Sequence, residues 1–217
     1  MALVSACAGG LLAFACTAPA DAHPHIFAEA MLDVRVSDRG EVETLRHVWR
    51  FDDLFSSTVL LQFDQNSDLE LNEKELEFIG DVIRQSLAEF DYFQFVHVDG
   101  RTVNMKAPET LKATFEEGQL VIAFESAPRE TLTLEGKVDF GVYDPTFYTA
   151  IDFYDEESLQ ISRLPDRCDS SVVRPNPDEA LAMNQQSLTD AFFADPTEVD
   201  YSKLFATRLE VVCTAQG

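Results

Sequence analysis

Two histidines flanking a proline, His23-Pro24-His25, carry the most distinctive chemistry in this sequence, which holds only 4 His in all. A cut immediately before His23 would give that residue a free α-amine. Amine and ring Nδ1 together close a six-membered chelate around a metal. The α-amine titrates near about 7.7–8, so part of it is unprotonated at neutral pH. His25 adds a third nitrogen, and imidazole nitrogens suit zinc, copper and nickel. Pro24 lacks an amide N–H, which closes the square-planar N-terminal mode that needs a deprotonated second amide. It also keeps the segment extended, with both rings roughly on one side. His47 or Asp52 would complete the ligand set. Each has a competing role: His47 shares an alternating face with Leu45, Trp49 and Phe51, and Asp52 can cap a helix.

A second constellation spans residues 64–75 and resembles an EF-hand loop. Asp64, Asn66, Asp68 and Asn72 supply oxygens at positions 1, 3, 5 and 9, Glu70 a backbone carbonyl at 7, and Glu75 the bidentate acid at 12. Hard oxygen donors at this spacing point to Ca²⁺. Leu69 stands at position 6, where the sharp turn calls for glycine. Holding a leucine at positive φ costs roughly 1–2 kcal/mol, so weakened calcium binding is expected.

Export is the condition for the first site. Residues 2–18 are almost wholly apolar and small, although no Lys or Arg precedes them, and Ala20-Asp21-Ala22 fits signal-peptidase cleavage after Ala22. Residues 1–22 are therefore read as a signal peptide and 23–217 as a single periplasmic domain. Lipid attachment at Cys16 is the alternative processing. Cys168 and Cys213 would remain and form one disulfide in an oxidising compartment. The formal net charge of −23 repels nucleic acid and anionic membrane surfaces and draws cations in, although acidity also serves solubility alone. No later apolar run is long enough to span a bilayer.

The elements that position these residues alternate between strand and helix signals. Ile26–Val36 places Ile26, Ala28, Ala30, Leu32, Val34 and Val36 on one face, and a turn at 37–40 returns the chain through 41–51 as a hairpin. Helices are predicted over 54–63 and 73–90, the latter with Leu76, Ile79, Val82, Ile83, Leu87 and Phe90 at the helical period. Strands follow over 93–98, 102–105, 110–115, 119–125, 131–143, 147–154, 159–163 and 171–174, with Asp99-Gly100 and Glu116-Glu117-Gly118 as hairpin turns. A C-terminal helix over 178–193 and a strand over 207–212 complete the pattern. The fold class is α+β: a mainly antiparallel β body with an EF-hand-like helical insertion at about 53–90. Hydrophobic residues at 46%, with 17 Phe, suffice for its core. Nothing resembles a nucleophile elbow, a P-loop or HExxH, so an enzyme is not expected.

His-Pro-His-Ile-Phe at 23–27, Trp49-Arg50-Phe51-Asp52, the acidic loop, Val142-Tyr143-Asp144-Pro145-Thr146-Phe147-Tyr148 and the late cysteines together resemble a bacterial family of unknown function. Its members are described as periplasmic components of an uncharacterised ABC-type transport system, encoded beside or fused to nickel/cobalt-exporter-type permeases, with some implicated in zinc acquisition. The resemblance implies a periplasmic location and a membrane metal permease as partner. The expectation is an accessory protein that captures zinc first and nickel second. Its rivals are a permease-associated scaffold with no transported ligand and a copper oxidase using an N-terminal histidine brace.

Overall fold

A computed structural model describes residues 24–176, 178–179 and 205–214. The expected signal peptide, His23 and nearly all of the expected C-terminal helix lie outside the described residues.

The alternation read from the first strand is real. β1 (Ile26–Val36) buries Ala28, Ala30, Leu32, Val34 and Val36, while Phe27, Glu29 and Met31 face outward. Gly40, at φ 76°, turns the chain into β2 (Val42–Phe51), whose Leu45, His47, Trp49 and Phe51 fall on the same buried face. The pair is antiparallel, with Leu32 opposite His47 and Ala28 opposite Phe51.

Asp52 ends β2 and caps α1 (Asp53–Phe63), its carboxylate accepting from the amides of Leu54 and Phe55. Helix α1 lies on the sheet through Phe51 and Phe55, ring centroids 5.0 Å apart. Buried Ser56 receives the amide of Leu120 at 2.9 Å. Asn72 and Glu75 form a capping box at the start of α2 (Glu73–Leu87). This helix presses on β5 (Leu111–Glu116) at Gly80, where a Cβ would run into the Leu111 carbonyl. It stops short of the predicted Phe90. A tight turn over Ala88–Phe93 follows, with Asp91, Tyr92 and Phe93 all at positive φ. Three left-handed residues without a glycine cost roughly 1–2 kcal/mol each. Burial of Tyr92 and Phe93, the latter stacked on Trp49 at 6.2 Å, offsets that cost.

The remaining strands are β3 (Gln94–Val98), β4 (Arg101–Thr102), β6 (Gln119–Ser126), β7 (Gly136–Val142), β8 (Thr149–Phe153), β9 (Leu159–Ser162), β10 (Cys168–Val173) and β11 (Arg208–Cys213). Asp99-Gly100 and Glu117-Gly118 both adopt the paired positive φ of tight hairpin turns. Strands predicted over 102–105 and 131–143 are shorter, because Met105 and Thr133 make only isolated bridges, to Pro128 and Glu41.

Two sheets share one buried core. The first runs β5-β6-β2-β1-β8, with β9 also on β1. The second runs β10-β11-β7-β3-β4. Pairing is antiparallel except that β8 flanks the first half of β1 and β9 its second half, both parallel. The α+β class holds. The expected Cys168–Cys213 disulfide is present, joining directly opposed residues of β10 and β11 across a sequence separation of 45. No helix among the described residues is long and apolar enough to cross a membrane.

Candidate metal centre

The sequence-predicted ligands divide between one end of the first sheet and its interior. His25 stands just before β1 and is exposed. Its amide donates to the Tyr148 carbonyl at 2.8 Å, and its ring lies against the Tyr148 ring, centroids 4.9 Å apart. The segment that presents Tyr148 is organised by Asp144, whose buried carboxylate accepts from the amides of Thr146 and Thr149, both at 2.8 Å, and from the Thr146 hydroxyl at 2.7 Å. In the sequence Asp144 and Tyr148 stand out only within the block that carries the family resemblance, and nothing there places them beside His25. No local pattern marks a tyrosine that meets a residue more than a hundred positions away.

Asp52 lies on the other side of the same end. Its Oδ2 accepts from the Phe27 amide at 2.9 Å, and its own amide donates to the Phe27 carbonyl at 2.9 Å. His25 and Asp52 are thus both fixed relative to Phe27. Partial burial works to raise the Asp52 carboxyl, but the amides of Phe55, Phe27 and Leu54 outweigh it and hold the group below its ordinary value. Asp52 is therefore ionised at neutral pH, and its Oδ1 is engaged as the helix cap.

His47 does not join them. It pairs with Leu32, seven residues along β1 from His25, which at strand rise is on the order of 23 Å. Its ring is fully buried and stacked on Phe124 at 4.5 Å. Burial pushes the imidazole down to about 3, with Gln94 opposing weakly. Neither ring nitrogen has a hydrogen-bond partner in sound geometry among the described residues. The structure does not bring His47 beside His25, because β1 runs regularly from Ile26 and His47 sits opposite Leu32. Among the described residues, no three His, Cys, Asp or Glu side chains are grouped to hold a metal. His23, the other predicted nitrogen donor, lies outside them.

The acidic loop joins α1 to α2. Asp64 accepts from the amides of Ser67 (2.7 Å) and Leu69 (2.8 Å), and Asp68 from that of Glu70 (2.9 Å). Asn66 accepts from the Asp68 amide at 3.1 Å, and the Asn72 side chain from that of Lys74 at 3.0 Å. The buried Glu75 carboxylate takes the amides of Gln65 and Asn72, both at 2.9 Å. Leu69 adopts φ 64°, the left-handed conformation that position 6 requires, despite its side chain. The donor types suit a hard cation, while the carboxylates close the loop on its own amides.

The sequence profile of one protein family, described as a protein of unknown function (DUF1007), matches residues 9–213. The chain belongs to the DUF1007 family. A relative from Haemophilus influenzae, described only as an uncharacterized protein, is 24% identical over 171 residues, covering 77% of this chain and 80% of that one. The family match spans the His-Pro-His segment, the acidic loop and both disulfide cysteines.

Proposed function

We propose that this DUF1007 protein is an exported accessory protein that captures a transition metal, zinc first and nickel second, for a membrane permease. The observation that carries the reading is the placement of His25. The start of β1 is pinned between Tyr148 and Asp52, which keeps one imidazole exposed at a fixed point of the sheet. Cleavage after Ala22 would put His23 two residues away with a free amine. His23 and His25 would then supply the nitrogens, and Asp52, anchored on Phe27, the carboxylate. The net charge of −23 concentrates cations around such a site.

Calorimetric titration of the mature protein with Zn²⁺ tests this. Replacing both histidines, His23→Ala with His25→Ala, is expected to weaken binding by more than the roughly 10–100-fold typical of losing an outer-shell partner. Equal affinity in the two proteins removes the histidine site. Intact mass of the same sample checks the cut, because a lipid on Cys16 would leave no amine at His23.

The loop over 64–75 supports a second cation reading, for Ca²⁺. Its oxygen donors are of the right type, and Leu69 is already in the conformation that the loop needs.

A further inference from the structure

Apolar side chains are exposed around Phe27, on the outer face of the first sheet and at the start of α1. Leu54, next to the helix cap, is 77% exposed, Tyr154 80% and Phe27 55%. Phe27 and Tyr154 line a hollow of about 530 Å³ together with Glu29, Asp52, Asp53 and Asp152. The two arginines in its wall are engaged. Arg174 is held by Asp152 and the Phe153 carbonyl, and Arg50 by Gln119 and Glu116. The hollow therefore presents an excess of negative charge between apolar rims. Exposed apolar groups rimmed by charge mark interaction surfaces.

Charge decides among occupants. A chain of net charge −23 is repelled by anionic lipid and by a second copy of itself. We propose that this face docks a partner protein that inserts apolar side chains flanked by lysine or arginine. The inference rests on the reading of this chain as an accessory protein, and it places one edge of the docking face at Phe27, two residues from His25, where hand-over would occur.

The test uses a short amphipathic peptide of leucine and lysine as probe, added in chelator to isotope-labelled mature protein. Chemical-shift changes are expected to concentrate at Phe27, Leu54, Tyr154 and the hollow. A Leu54→Ser, Tyr154→Ser variant, altered only at exposed positions, is expected to bind about tenfold more weakly. A footprint scattered over the acidic surface, or equal binding by the variant, overturns the proposal. Two further outcomes overturn it in favour of another occupant: binding to phosphatidylglycerol vesicles that the variant loses, or a concentration-dependent dimer that the variant abolishes. Zinc titration of the same preparation separates the two readings. An intact footprint without zinc binding overturns the metal site alone, and zinc binding without a footprint overturns the docking face alone.

Discussion

His47 illustrates how a residue type that suggests chemistry can be used for packing instead. Its imidazole lies in the core against Phe124 and Trp49, neutral because burial disfavours its charged form. The unfolded chain takes up a proton there near 6.5, whereas the folded protein resists until about pH 3. The stability that this neutral ring permits is therefore complete above pH 6.5 and is lost as pH falls, at about 1.4 kcal/mol per unit. Between pH 7 and pH 5 the protein should lose about 2 kcal/mol more than a His47→Leu variant, measured by urea unfolding at both pH values. Parallel losses in the two proteins would show that acidity acts elsewhere. The buried face of His47 was legible from alternation with Leu45, Trp49 and Phe51. Its distance from His25 was not, because the face of a strand follows from a period of two, while reach depends on which residue of the neighbour it opposes.

At the scale of elements, the helix–loop–helix over 53–87 was readable almost to its boundaries. A capping aspartate, an amphipathic period and a spaced set of oxygens each leave local marks. The turn over 88–93 left none. Three consecutive left-handed residues contradict local preference, and the burial of Tyr92 and Phe93 helps to sustain them. Leu69 is a similar conflict on the surface, exposed and held at φ 64° by the Asp64 carboxylate. A Leu69→Gly substitution removes the steric cost while loosening the unfolded chain, for a net gain of about 0.5–1 kcal/mol in thermal or urea unfolding. Added Ca²⁺ should raise the melting temperature of both forms. A variant no more stable than the parent would mean that the loop carries no strain at Leu69.

For the molecule as a whole, the Cys168–Cys213 bond ties β10, an edge strand of the second sheet, to its neighbour β11 across a sequence separation of 45. A chain with Cys168→Ala and Cys213→Ala should lose about 2–4 kcal/mol of stability, read as a lower urea midpoint, with little change in the far-ultraviolet spectrum. The pairing followed from a count of two cysteines. The order of strands did not: nothing local distinguishes β8 and β9 from hairpin strands, because their parallel alignment beside β1 is dictated by the shared core.

That alignment shapes how the chain must be born. β1 emerges first and finds β2 at once through a short turn, yet its opposite edge stays bare until β8 and β9 arrive from far downstream. Throughout that interval a long strand with one apolar face offers open backbone groups to any passing segment, so the nascent protein is prone to stray pairing along the strand that later anchors His25.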